Sequence, residues 1–114
     1  MIARKHRFHG HNSVSRVRGS SVRGNVFTVF FAHNKKRQDY RMAVVVSKKV
    51  SKSAVVRNRI RRRLYEAVRT AKTLEGQPLD VVFVVHREEL ATMDAQELFL
   101  QVQKACQQMA EKSH

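Results

Sequence analysis

SKKVSKSAVVRNRIRRRLYEAVRTAK, residues 47–72, decides how the rest of the chain has to be arranged. It holds ten Lys or Arg residues against one acid, Glu66. Like charge at that density ordinarily marks a solvated or disordered tail. Here apolar residues run through it at helical spacing. Val56, Ile60, Leu64, Ala67 and Ala71 fall within one narrow stripe at about 100° per residue. The stretch therefore reads as a helix docked on a core, with basic side chains over the rest of the cylinder. Placing Ile60 at the middle of the stripe puts Arg57 and Arg61 on one flank and Arg59 and Arg63 on the other. Asn58, Arg62, Tyr65 and Arg69 then point away from the core. The Arg57/Arg61 flank adjoins the preceding loop with Lys48, Lys49 and Lys52, so a groove between helix and sheet is expected to have one cationic wall. Guanidinium suits a phosphate partner because its planar fork makes paired hydrogen bonds to phosphate oxygens. Asn58, uncharged between two arginines, offers a donor and an acceptor. It can orient its neighbours or touch an RNA 2′-hydroxyl.

Outward from this helix, the chain supplies a small sheet for it to cover. Val22 to Ala32 is rich in β-branched and aromatic residues and reads as a strand, its Phe27, Val29 and Phe31 side facing the core and Phe30 the open face. His33 to Tyr40 is a polar hairpin loop with Lys35, Lys36 and Arg37. Arg41 to Ser47 is a second strand, apolar enough on both faces to be central. Ser51 or Ser53 caps the basic helix, which is expected from Ala54 to Leu74, with Gly76 and Pro78 as its stop. Leu79 to His86 is a third, continuously apolar strand. A last helix runs from Asp94 to Glu111 with Leu98, Val102, Ala105 and Met109 on one stripe and Phe99 and Cys106 beside it. Near the N-terminus, Asn12 or Ser13 caps a short helix that Gly19 stops. The order helix, strand, strand, helix, strand, helix leaves room for one further short strand near Val22. It specifies an α+β, two-layer sandwich with one small sheet and three helices. Residues 1–12 form a basic arm, and residues 13–114 a single domain.

Charge narrows the partner. The 114 residues carry a formal net charge of +14, which points to nucleic acid or an anionic membrane surface. Residues 1–46 contribute +9 and residues 47–72 another +9, whereas residues 73–114 contribute −4 and are expected to close the core from the far side. A membrane-surface helix would have to turn its apolar stripe to lipid, yet strands as apolar as Val81–Val85 need that stripe as cover. No stretch approaches the 18 or so apolar residues of a membrane span, and the N-terminus has no apolar signal region. The single cysteine, Cys106, forms no internal disulfide and fits a reducing cytoplasm. His6, His9 and His11 lack the companion ligands of a zinc site. No paired carboxylates flank a basic cleft, so an autonomous protein nuclease is not expected.

The Ser-Lys-Lys followed by SAVVRNRIRRRL resembles the signature of the bacterial ribonuclease P protein component, whose Arg-Asn-Arg helix follows a strand ending in Ser-Lys-Lys. Arg7-Phe8 in the arm, Gly19 before the first strand, Arg41 opening the second, and Asp80 and Arg87 around the third fit the same pattern. The alternative is a non-catalytic ribosomal or general RNA-binding protein with similar electrostatics. The resemblance implies a four-stranded mixed sheet and a left-handed β-α-β crossover, where the general rule favours the right-handed form. It implies a protein without catalytic residues, partnered with a catalytic RNA that removes the 5′ leader of precursor tRNA using Mg2+ bound mainly by that RNA. No further protein partner and no membrane is required. By motif match, Arg57, Asn58, Arg59, Arg61 and Arg62 face the RNA subunit, and Lys48, Lys49 and Lys52 extend that surface. Phe8, Phe30, Arg16 and Arg41 are the candidates for the leader cleft, where aromatic faces stack on bases with little sequence preference. Similar proteins commonly carry aromatics on the first helix. Asn12 and Arg16 stand there here, so Arg16 and Arg18 would replace stacking with charge.

Overall fold

A computed structural model describes residues 20–112. The predicted N-terminal arm and first short helix, with Phe8 and Arg16, lie outside these residues. Within them the elements run β1 (Ser20–Arg23), β2 (Phe27–His33), β3 (Arg41–Val45), α1 (Ala54–Ala71), β4 (Leu79–Val85), a 3-10 turn (Glu88–Ala91) and α2 (Ala95–Lys112). The four strands form one sheet in the order β1-β2-β4-β3. β4 is antiparallel to β2 and parallel to β3, so the sheet is mixed.

The strand expected across Val22–Ala32 is in fact a hairpin. Its turn at Asn25 and Val26 is closed by the Gly24 N–H donating to the Phe27 carbonyl at 2.8 Å. A Cβ at Gly24 would lie 3.0 Å from that same oxygen, so the close approach favours glycine there. Gly-Asn between two apolar runs is a hairpin signal that the continuous β-rich run obscured.

β3 also differs from expectation. It is an edge strand, and β4 takes the central position beside it. The loop 34–40 is consequently no hairpin, because β4 separates β2 from β3. Its Asn34 N–H donates to the Pro78 carbonyl at 2.7 Å, and its Asp39 carboxylate accepts from the Gly76 N–H at 2.9 Å, tying the loop to the turn that leads into β4.

One face of the sheet carries the core. Phe27, Val29 and Phe31 of β2, Met42 and Val44 of β3, and Leu79, Val81, Phe83 and Val85 of β4 alternate inward. Against them lie Ile60, Leu64, Ala67 and Val68 of α1 and Leu98, Val102, Ala105, Cys106 and Met109 of α2. The Phe27 and Phe83 rings meet at 5.2 Å, tilted by 60°, which adds a favourable edge-to-face contact. Cys106 is fully buried, and burial pushes its thiol up to about 12, so it is a core residue with no accessible thiolate.

Helix boundaries follow from their caps. The Ser53 hydroxyl accepts from the Val56 N–H at 3.3 Å, while the buried Ser51 hydroxyl accepts from the Ser53 N–H at 3.2 Å. α1 ends earlier than the expected Leu74 because Lys72 takes the left-handed conformation at φ 60° and donates its N–H to Val68. Leu74 is buried beyond the helix end. At α2, the Asp94 carboxylate accepts from Gln96 and Glu97 N–H groups at 3.1 and 3.2 Å, as its position in the sequence suggested.

Candidate RNA interface

α1 and the loop before it concentrate the cationic side chains. Lys48, Lys49, Lys52, Asn58, Arg59 and Arg62 are exposed, while Arg57, Arg61 and Arg63 are half-buried. Their chemistry differs along the helix. Arg57 donates to the Ser51 carbonyl at 2.9 Å, so it fastens the lysine-bearing loop to the first turn of α1. Arg61 donates to the Asn58 side-chain oxygen at 2.9 Å, one turn back on the same face. Asn58 thus orients a neighbouring guanidinium, one of the two roles read from its position. Arg59 and Arg62 have no hydrogen-bond partner among the described residues, which leaves both forks directed at solvent.

Two side chains of α1 do not follow the predicted phasing. Arg63 turns onto the segment before α2, donating to the Leu90 carbonyl at 2.7 Å and to the Met93 carbonyl. Tyr65, expected to point away, is half-buried and packs against the core cluster. The 3-10 turn and the start of α2 cover the Arg63 side of α1. The apolar stripe of α1 packs on the inward face of the strands. The groove that α1 does form lies on its other side, against the first turns of α2.

The opposite face of the sheet forms a second surface. Strand register places Phe30, Val82 and Ala43 in one row across β2, β4 and β3. Ala43 and Val82 are buried in a small apolar cluster with Ala32 and Val84 packed beside them. Phe30 and Val45 are each 37% exposed on this face. At one end of this face, in the row beside it, Arg41 pairs with Asp80, Nε to Oδ1 at 2.6 Å and Nη2 to Oδ2 at 3.2 Å, and the Asn34 amide donates to Oδ2 at 3.0 Å. Hydrogen bonding to Asp80 holds the Arg41 guanidinium protonated even more firmly than usual. At the other end Thr28 Oγ1 and His86 Nε2 are hydrogen-bonded at 2.7 Å beside exposed Arg23.

The two candidate groups thus lie on different layers. Arg57, Asn58, Arg59, Arg61 and Arg62 sit on the helical layer with Lys48, Lys49 and Lys52 in its leading loop. Phe30 and Arg41 sit on the sheet's open face. Sequence periodicity assigned both faces, and it missed Asp80 and Asn34 as the partners of Arg41. Asp80 opposes Arg41 in the parallel β3–β4 register, a pairing visible only once those strands are neighbours. Among the described residues no group of three or more His, Cys, Asp or Glu side chains is placed to hold a metal ion.

A family model for ribonuclease P matches residues 2–110. The chain belongs to the ribonuclease P protein family. Solved structures agree with that assignment. The RNase P protein of Staphylococcus aureus is 26% identical, with 93% of each chain covered and a TM-score of 0.70. An S. aureus RNase P protein mutant with defective mRNA degradation activity is 22% identical over 93% of this chain and 89% of that one, at a TM-score of 0.78, a likeness of fold. The RNase P protein of Thermotoga maritima is 26% identical over 84% of each chain, at a TM-score of 0.62. Comparison with curated proteins returned no match. The α+β architecture with a four-stranded mixed sheet and two α-helices is the one found in these ribonuclease P proteins. No helix among the described residues is long and apolar enough to cross a membrane.

Proposed function

We propose that this ribonuclease P protein bridges two RNAs, with the catalytic RNA subunit on its helical layer and the 5′ leader of precursor tRNA on the open face of its sheet. The observation that carries this reading is the partition of the two surfaces. Exposed Arg59 and Arg62 with the lysines of residues 48–52 form a cationic surface suited to phosphates. On the other layer, exposed Phe30 belongs to an apolar row, and an anchored Arg41 lies in the row beside it. An aromatic platform next to a fixed cation suits a single strand, whose bases stack while its backbone is neutralised.

In this reading the protein holds RNA, and cleavage belongs to the RNA subunit with Mg2+ bound mainly there. Residues 13–114 act as one RNA-binding domain in the cytoplasm, with Phe8 of the arm and Arg16 of the domain as further leader contacts. The crossover from β3 through α1 to β4 takes the family's left-handed form.

Reconstitution tests the proposal. Protein alone should leave precursor tRNA intact, and protein plus the RNA subunit should remove the leader at magnesium concentrations where the RNA alone is slow. Arg59→Ala and Arg62→Ala should each flatten the salt dependence of RNA binding, by about 0.7 to 0.9 in the log–log slope for every phosphate no longer neutralised. Phe30→Ala should weaken binding of leader-bearing substrate and spare substrate that has no leader. Cleavage by the protein without RNA would sink the proposal.

A further inference from the structure

The groove between α1 and the first turns of α2 has a composition that phosphate binding does not account for. Its base is apolar and aromatic: Ala67 and Leu98 are buried, and Phe99 is half-buried along it. Its rim carries Arg59 and Arg62, both exposed and without hydrogen-bond partners among the described residues. At one end Val55 is 70% exposed, a large apolar side chain with nothing over it among the described residues. Glu66, the acid lining the groove, is paired with Arg69 one turn away. An occupant must therefore be anionic at the rim and flat and apolar within. The sugar–phosphate backbone of a duplex satisfies the rim alone, because it has no apolar face to cover Val55 and Phe99. An unpaired nucleotide satisfies both.

We propose that this groove receives an unpaired nucleobase of the RNA that α1 binds, stacked on Phe99, with the adjoining phosphates on Arg59 and Arg62. The inference rests on the reading of α1 as the RNA-facing helix and adds a base site to it. The chemistry is sequence-tolerant, since every base has a face to stack and guanidinium planes also pack on bases.

The test compares two probes of equal charge, an adenylate hexamer and a hexamer of abasic ribose phosphates, on the full chain. Ala95→Leu narrows the groove from an exposed position, and Phe99→Leu removes an aromatic face while keeping an apolar side chain. Each should weaken adenylate binding roughly tenfold and leave abasic binding unchanged. Arg59→Ala should weaken both probes. Groove variants that bind adenylate like the parent chain, or lose both probes equally, overturn the base site. If Arg59→Ala still weakens both probes in that case, the RNA-facing reading of α1 survives. An Arg59→Ala chain indistinguishable from the parent on both probes would remove that reading too. Ala95→Leu serves as the control for folding, because its added methyl groups enter no packed core.

Discussion

Arg63 stands in a run of three arginines, yet its work is structural. Its guanidinium forks across the Leu90 and Met93 carbonyls, two acceptors at the approach to α2 that it satisfies together. Charge-assisted hydrogen bonds of this kind contribute more than neutral ones. Arg63→Ala should therefore cost about 2 kcal/mol in urea unfolding. Arg63→Lys should recover less than half of that, since an ammonium cannot span both oxygens. A loss below about 0.5 kcal/mol, the scale of an ordinary surface substitution, would show that these two bonds do little to hold the fold. Nothing local distinguishes Arg63 from Arg61 or Arg62. Its partners lie 27 and 30 residues away, and helical phasing gives an angle without saying what arrives there. Ile60, Leu64 and Phe30 were legible for the opposite reason, because alternation and the 3.6-residue period fix their faces whatever the partner is.

At the level of elements, the helices were readable to within a few residues and the sheet less so. Ser53 and Asp94 announce their helices because the capping chemistry lies within three residues of the cap. The end of α1 was hidden. Gly76, with φ of 76°, is the residue a sequence reader chooses as the stop, but the chain turns left-handed four residues earlier at Lys72. A side chain in that conformation carries a steric cost that glycine lacks. Lys72→Gly should accordingly stabilise the protein by about 0.5–1 kcal/mol, read as a rise in Tm. A fall in Tm would mean that the Lys72 side chain makes a larger contribution than its backbone strain removes. Strand order was illegible for a different reason. Met42, Ala43, Val44 and Val45 give β3 the composition of a central strand. Part of that apolar surface serves the open face with Val82 and Val84, and no strand among the described residues pairs with its far side.

Across the whole molecule, the charge map and the layer map coincide only in part. α1 and its loop carry most of the cationic surface of the helical layer, whereas α2 is balanced, with Glu97 and Glu111 against Lys104 and Lys112. The C-terminal third therefore contributes packing, as its composition suggested. It also contributes the middle of the sheet. β4 pairs with β2 across seven residues on one side and with β3 across five on the other, and β2 and β3 do not touch through hydrogen bonds. As the chain leaves the ribosome, everything up to Gly76 can emerge with β3 still lacking a strand to pair with. A nascent chain at that stage has one hairpin and a highly charged helix without its platform. A fragment of residues 1–76 should show no cooperative thermal transition, and adding residues 77–114 as a separate peptide should restore one. Complementation of this kind follows from inserting the last strand between its elders, and it makes the final third of synthesis the step that commits the RNA-binding helix to its place.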